Sequence, residues 1–344
     1  AGATMRRRAT YMYGLLLPNN PLGHVDVGLG PGHSSGSIGL VAPNDIISKT
    51  GEERIVDGVK VQFQYTPDAE APAEMMFYFP ELKALCTSEV VTHILHNVYT
   101  PRGAKVRDAL AWAKYIYELM ELFPGADVVF ASHHWPIWGT EKVQQYLGLQ
   151  RDLYKYLHDE TLRLANHGLT PIEIAEEIKL PESLSKEFAN RDYYGTVNHN
   201  VKAIYQLYFG WFDANPANLH PLPPQQSAEK YVEFMGGADS IVERAADCYQ
   251  RGEFRWVAQV LNHVVFADPS HKAARELLAR AYTQMGYQAE GGPWRDFYLS
   301  GAQELRFGAP KSRAIASAGT VDTLKAVPIN LLFDLLAVRL NGPK

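Results

Sequence analysis

Apolar residues recur at two different spacings along the chain, and the change from one spacing to the other divides the chain into two regions. Up to about residue 145, short apolar or alternating runs are bounded by turn residues and predict strands. These runs are Ser37–Ala42, Val59–Tyr65, Glu74–Phe79, Ala84–Thr87 and Asp127–Ala131. Between the last two, apolar residues at helical spacing predict a helix over Val106–Phe123, which stops at Pro124-Gly125. Strands interleaved with a helix predict a layered α/β region.

Helical spacing dominates from Val143 onwards. Val143–His167 predicts one long amphipathic helix that ends at Gly168. Thr170-Pro171-Ile172-Glu173 is a helix start, with Thr at the N-cap, Pro at N1 and Glu at N3. Further helices are predicted over Asn198–Tyr208, Ala228–Met235, Asp239–Arg251, Phe254–Phe266 and Pro328–Leu340. Residues 308–327 are rich in small residues and predict a linker.

A weak repeat runs through the second region. Gly252 and Gly286 occupy matching places, as do Cys248 and Tyr282, and Pro269 lies where tetratricopeptide-type helix pairs carry proline. The same pattern fits an ordinary helical hairpin equally well. Either interpretation gives an all-α region.

Charge and cysteine content narrow the classes of function. The 33 basic and 38 acidic residues give a net charge of -5, and no basic stretch exceeds Arg6-Arg7-Arg8, so nothing favours a nucleic-acid partner. Cys86 and Cys248 are the only cysteines, which is too few for a disulfide framework or a cysteine-rich zinc site. Any metal must therefore be held by histidines and carboxylates. The sequence has no apolar run of the ~20 residues that a transmembrane helix needs.

Candidate metal ligands follow the predicted strands. Glu70 and Glu89 each lie in a loop just past a strand, and His133-His134 follow the apolar run Asp127–Ala131. Zinc accepts both histidine and carboxylate donors. The alternative is that either Glu is a solvated or capping group, and that one of the two adjacent histidines is a hydrogen-bonded core residue.

Two arginines bracket a predicted helix start. Arg102 and Arg107 are five residues apart, so together with the helix N-terminus they could bind an anion. An ion pair with Asp108 or a nearby glutamate explains them equally well.

Longer runs of the sequence resemble one family closely. They are TPDAEAPAEMMFY (66–78), ASHHWPIWG (131–139), RDLYKYLHDETLRLAN (151–166), YYGTVNHNVKA (193–203), FDANPANLHP (212–221), VAQVLNHVVFADP (257–269) and GPWRDFYLSGAQEL (292–305). The chain resembles the zinc-dependent alkyl sulfatases of the metallo-β-lactamase superfamily, which hydrolyse linear alkyl sulfate esters such as dodecyl sulfate. The resemblance implies part of a metallo-β-lactamase-like (αββα) catalytic domain over 1–145 and an all-α dimerisation domain over 146–307. A linker and the first helix of a sterol-carrier-like domain would occupy 308–344.

The resemblance also implies roles for individual residues. Glu70, Glu89 and His134, rather than its neighbour His133, match metal ligands of a site that holds two Zn²⁺ ions when intact. Asn97, Arg102 and Arg107 match the segment that holds the sulfate group. His199 matches a general acid that assists departure of the leaving group. The resemblance further implies a homodimer formed through the all-α domain, and a periplasmic or secreted location that the residues themselves do not address.

One motif of the superfamily is absent. The chain lacks His-x-His-x-Asp-His, and its His24-Val25-Asp26 lies in a Pro/Gly-rich stretch that predicts a loop. The resemblance places the missing motif upstream of Ala1, and the last domain would stop after its first helix. We therefore expect this chain alone to bind zinc weakly and to turn over little. Two other hypotheses are a helical dimerisation module with an incomplete metal site, and another hydrolase of the superfamily.

Overall fold

Among the described residues, six strands form one sheet in which the spatial order follows the order along the chain. The structure is a computed structural model that describes residues 2–32, 39–309 and 321–342. The strands are β1 (Glu53–Val56), β2 (Val59–Tyr65), β3 (Met75–Phe79), β4 (Ala84–Cys86), β5 (Val128–Phe130) and β6 (Ile137–Trp138). All neighbouring strands are antiparallel except β4 and β5, which are parallel. A parallel pair needs a crossover connection, and helix α2 (Ala109–Leu122) supplies it.

Helix α2 packs its apolar face on the sheet. Trp112, Ile116 and Leu119 are fully buried, and they belong to the same core as Leu85 of β4. The helix begins later than its apolar spacing predicts because Asp108 is its N-cap. The Asp108 carboxylate accepts hydrogen bonds from the backbone N–H groups of residues 110 and 111. Val106 therefore belongs to the preceding loop.

The other regular elements in the described ranges are helices. The helices that accompany α2 are α1 (Gly2–Met12), α3 (Thr140–Asn166), α4 (Pro171–Glu177), α5 (Glu182–Ser185), α6 (Val197–Phe209), α7 (Pro224–Phe234), α8 (Ala238–Gln250), α9 (Phe254–Ala267), α10 (Lys272–Gln288), α11 (Gly292–Phe307), α12 (Val321–Ala326) and α13 (Ile329–Ala337). Consecutive helices from α8 to α11 pack against one another. An α/β region followed by an all-α region is the predicted fold class, which the structure confirms. The tetratricopeptide interpretation of the helix pairs stays a prediction.

Two main cores stabilise the fold. The larger one continues from the sheet into the first helices of the all-α region, and it includes Leu85, Trp112, Leu153 of α3 and Ile204 of α6. The smaller one joins α8, α9 and α10. Because the larger core passes residue 145 without a break, α3 and α6 are well placed to brace loops of the sheet. The predicted domain boundaries at 145 and 307 stay predictions.

Several local predictions can be compared with the structure. Thr170 and Glu173 form the predicted capping box, with Thr170 N–H donating to Glu173 at 2.8 Å. The strand prediction for Ser37–Ala42 is wrong over 39–42, which form no strand, and residues 37 and 38 lie outside the described residues. Within the predicted linker, residues 321–326 form helix α12 and residues 310–320 lie outside the described residues, so the linker stays a prediction. None of the described helices is both long and apolar enough to cross a membrane.

Candidate metal centre

Three loops meet at one edge of the sheet because of the strand directions. β2 and β4 flank β3 and are both antiparallel to it, so they run the same way, and β5 is parallel to β4. The C-terminal ends of β2, β4 and β5 therefore share one edge. Glu70 follows β2, Glu89 and His96 follow β4, and His133 follows β5. Polar side chains at such an edge are presented by loops from a rigid scaffold.

Backbone hydrogen bonds hold two of these loops together. Thr87 N–H donates to the carbonyl of Phe130, and Ser132 N–H donates to the carbonyl of Ser88, both at 2.9 Å. Ser88 adopts a left-handed backbone with φ of 51°, which turns the chain directly before Glu89. The Ser88 hydroxyl stabilises that turn by donating to the carbonyl of Met75 at 2.6 Å. The loop that carries Glu89 is thus tied to both neighbouring strands.

Glu70, Glu89 and His96 bring one ligand atom each within 4.8 Å of one another. Two carboxylates and an imidazole are a donor set that fits a divalent cation such as zinc. The ring of His96 supports this fit. Its Nε2 is buried, has no hydrogen-bond partner among the described residues, and lies 3.9 Å from Glu89 Oε2. A buried imidazole nitrogen without a partner is costly unless something binds it.

A third carboxylate adds to the negative charge of the cluster. Burial, followed by the nearby charges of Glu70 and Glu89, raises the pKa of Glu74 to about 7. The pKa of Glu89 is lowered instead, first by its hydrogen bond with His133 and then by the charges around it, among them Arg107. Neighbouring carboxylates that cannot all ionise freely indicate a site at which a cation would relieve repulsion.

Arg107 connects the members of the cluster. Its Nη2 forms an ion pair with the Glu70 carboxylate, and its Nε donates to the Glu70 carbonyl at 2.6 Å. Its Nη1 donates to the carbonyl of Asn97 at 2.5 Å and lies 3.2 Å from His96 Nδ1. Most of its N–H groups are therefore committed to protein partners. Arg107 also lowers the pKa of His96, second to the effect of burial.

Residues of the all-α region form hydrogen bonds with the backbone around His96. The side chain of Asn200 on α6 donates to the His96 carbonyl at 2.8 Å and accepts from Val98 N–H at 2.9 Å. Gly195 N–H donates to the carbonyl of Leu95 at 2.8 Å. A Cβ atom on Gly195 would lie 2.4 Å from the His96 carbonyl oxygen, so only glycine allows the two segments to approach this closely.

The two adjacent histidines point to different partners. His133 Nε2 donates to Glu89 Oε1 at 2.5 Å, whereas His134 Nε2 donates to the carbonyl of Gly28 at 2.8 Å. The φ of 68° at His134 separates the directions of the two rings. Within the described residues, the metal-type cluster contains His96 and not the predicted His134. The metal-ligand role of His134 stays a prediction.

The other predicted site residues are spread along the same loop and on α6. Asn97 is buried beside Arg107, while Arg102 donates to the carbonyl of Gly103 at 3.1 Å, within its own loop. His199 Nε2 donates to the carbonyl of Tyr99 at 2.6 Å, and its ring stacks on the ring of Tyr99. Burial lowers the pKa of His199 to about 4. The predicted sulfate and general-acid roles stay predictions.

Sequence reasoning did not select His96 or His133. His96 follows the mostly apolar stretch 90–95, which by pattern alone is typical of core, and the functional assignment went to its neighbour Asn97. The signal for His96 was a polar residue in an apolar loop next to a predicted anion site. Nothing in the sequence distinguishes His133 from His134, because the choice depends on one backbone angle.

The chain is similar to known alkylsulfatases over its whole length. Residues 170–308 match the family described as alkyl sulfatase dimerisation. The whole chain is 54% identical to a linear primary-alkylsulfatase from Pseudomonas sp and 51% identical to the alkyl/aryl-sulfatase BDS1 of Saccharomyces cerevisiae. It covers 51% and 53% of the length of those two relatives. The close homologues of this chain are therefore alkylsulfatases.

A solved structure gives the same result for the fold. The stereoselective inverting sec-alkylsulfatase Pisa1 from Pseudomonas sp. superposes with a TM-score of 0.95 at 44% identity. The match covers 99% of this chain and 54% of the Pisa1 chain. The chain thus shares the fold of the matched part of Pisa1 and spans about half the length of these relatives.

Proposed function

We propose that this chain forms part of the active site of a zinc-dependent hydrolase of linear alkyl sulfate esters, which releases alcohol and sulfate. The observation that carries the proposal is the cluster of Glu70, Glu89 and His96 at the sheet edge. The names of the alkylsulfatase relatives supply the substrate class. The cluster lies in this chain and the similarity to the relatives covers all of it, although the relatives extend well beyond it.

Glu70, Glu89 and His96 would hold the metal, with His134 as the further ligand that the sequence predicts. Bound zinc supplies a water of lowered pKa and an electrophile for the ester oxygens. Arg107 orients the Glu70 carboxylate through its ion pair and its bond to the Glu70 carbonyl. The buried surroundings of His96, including Tyr154 and Trp112, restrict water and strengthen the electrostatic interactions.

Asn97 and Arg102 are the residues we propose for holding the sulfate group, and His199 for assisting the leaving group. His199 Nε2 is occupied by the Tyr99 carbonyl, and so a role in proton transfer requires this bond to open. Arg107 is less suited to the substrate than Arg102, since its N–H groups are already bound to protein acceptors.

A zinc titration of the 344-residue chain, combined with an assay of dodecyl sulfate hydrolysis, tests the proposal. We expect Glu70→Gln and Glu89→Gln to weaken zinc binding, while Glu121→Gln, an exposed glutamate on α2, leaves it unchanged. Zinc binding that is indifferent to Glu70, Glu89 and His96 would refute the site. Stoichiometric tight binding with turnover would show instead that the described ligands suffice, contrary to our expectation of weak binding.

We also propose that the helical region mediates homodimerisation. The support is the match of residues 170–308 to the dimerisation family. Sedimentation of the chain should give a dimer whose stability does not change on addition of a chelator, because the metal-type cluster lies in the α/β region. A monomer at all accessible concentrations would contradict this assignment.

A further inference from the structure

A buried histidine–aspartate pair lies outside the metal-type cluster. Asp296 on α11 is fully buried, and its Oδ2 and Oδ1 lie 3.0 and 3.3 Å from His24 Nδ1. The other ring nitrogen, Nε2, donates to the carbonyl of Pro31 at 3.0 Å. Because a carbonyl oxygen can only accept, Nε2 carries a hydrogen and His24 links α11 to the far end of its own loop. Gly14 lies so close to the carboxylate that a Cβ there would be 2.8 Å away.

The loop from His24 to Pro31 is compact and well anchored. The Asp26 carboxylate accepts from the backbone N–H groups of Gly28 and Gly30 at 2.6 and 3.3 Å. Gly292, at the start of α11, fits so closely that a Cβ would lie 2.5 Å from the Asp26 carbonyl. Asp296 and Gly292 therefore hold this loop from the same helix.

The loop presents its carbonyl groups to both adjacent histidines. Gly28 accepts from His134 Nε2 at 2.8 Å, and the backbone of Leu29 hydrogen-bonds the side chain of His133. The Nε2 atom of His133 reaches Glu89 Oε1 at 2.5 Å. A continuous series of contacts thus runs from α11 through the loop and His133 to a carboxylate of the cluster.

We propose that Asp296 is a positioning residue for the metal-type cluster, because through His24 it holds the loop that orients His133 against Glu89. Metal sites generally need residues that do not bind the metal themselves but orient its ligands through hydrogen bonds. The proposed role of Asp296 depends on the proposed function in one respect only, namely that the cluster binds a metal ion. It assigns to a helix of the dimerisation-type region a direct part in shaping the sheet edge.

The test uses the metal-free 344-residue chain and nitrogen–proton correlation spectra of the histidine rings, assigned with His133→Gln and His134→Gln. We expect Asp296→Asn to displace the ring signals of His133 and His134 while the backbone spectrum stays dispersed. His24→Gln, which keeps a hydrogen-bonding group opposite Asp296, should displace the same signals. The matched control is Asp239→Asn, which alters an exposed contact with His271 in the same region and should leave both rings unchanged.

A second readout is the affinity for Zn²⁺ alone, which Asp296→Asn should weaken about tenfold. Unchanged ring signals in folded Asp296→Asn would overturn the proposal. So would the unfolding of both variants, because the pair would then support the fold as a whole. If dodecyl sulfate hydrolysis fails while the ring signals move, the positioning role stands and only the proposed function is lost.

Discussion

Asn200 donates from its side-chain amide to the carbonyl oxygen of His96 at 2.8 Å, although the two residues are 104 positions apart. Its amide oxygen accepts from Val98 N–H, so a single side chain fixes the backbone on both sides of Asn97. Both backbone groups are buried and have few other ways to be satisfied. The position of the His96 ring therefore depends on α6 as well as on the sheet.

Replacing Asn200 should loosen this segment. Asn200→Ala leaves the His96 carbonyl and Val98 N–H without their partner, and each buried unsatisfied group costs about 1–3 kcal/mol. We expect a clear fall in the urea midpoint of unfolding and a loss of zinc affinity. Asn218→Ala, whose side chain contacts Asp213 at the surface, is the control and should change neither. A stable Asn200→Ala variant with native zinc affinity would contradict the bracing role.

Arg107→Lys tests whether this arginine acts on the cluster or on the substrate. Lysine retains the charge but cannot reproduce the bonds to Glu70 and Asn97 at the same time. We expect a loss of roughly 1–3 kcal/mol in the free energy of unfolding. Arg163→Lys, at an exposed ion pair with Glu160, should change stability by less than about 1 kcal/mol. An unchanged stability of Arg107→Lys, combined with a raised KM for alkyl sulfate, would favour the sulfate-binding role instead.

Glu74 should make the metal-free chain less stable as the pH rises. Its pKa of about 7 in the folded state is above the ordinary value of 4.5, so the folded chain holds the proton more tightly. The resulting stabilisation is complete below about pH 4.5 and is lost as the pH rises through 7. Glu74→Gln should therefore raise the melting temperature at pH 8 more than at pH 5. The exposed Glu81→Gln serves as the reference, and an equal effect of both variants at pH 8 would argue against the shift.

His199 has the opposite dependence on pH. Its pKa is lowered from 6.5 to about 4, chiefly by burial, so protonation favours the unfolded chain. The stability that it contributes is complete above about pH 6.5 and is lost as the pH falls through 4. His199→Gln should thus flatten the loss of stability between these values in thermal unfolding experiments. His220→Gln, at an exposed position, should retain the native slope.

The sequence predicted structure well where the signal was local. The capping box at Thr170 and Glu173, the strand Val59–Tyr65 and the long helix α3 each depend on residues close together in the chain, and the structure reproduces them. It predicted less where the outcome depends on distant partners. The two-residue strand β6 exists only because β5 pairs with it, and so its own pattern carries no signal.

In the candidate site, too, local signals could be predicted and long-range contacts could not. Glu70 and Glu89 could be selected because strand ends are recognisable and the resemblance named them. His96 could not, because its place beside the carboxylates depends on Asn200, Arg107 and the close approach of Gly195. His133 pairs with Glu89 next to a left-handed residue, His134, and such a backbone conformation is uncommon and not marked by the sequence.

The contact between Gly195 and the His96 carbonyl limits which sequences this fold can accept. With 2.4 Å between a hypothetical methyl carbon and that oxygen, even alanine would force the two segments apart. In a library randomised at 195 and 200 and selected for stability, position 195 should return to glycine alone. Position 200 needs an acceptor and a donor on one short side chain, so it should tolerate almost as few substitutions as position 195.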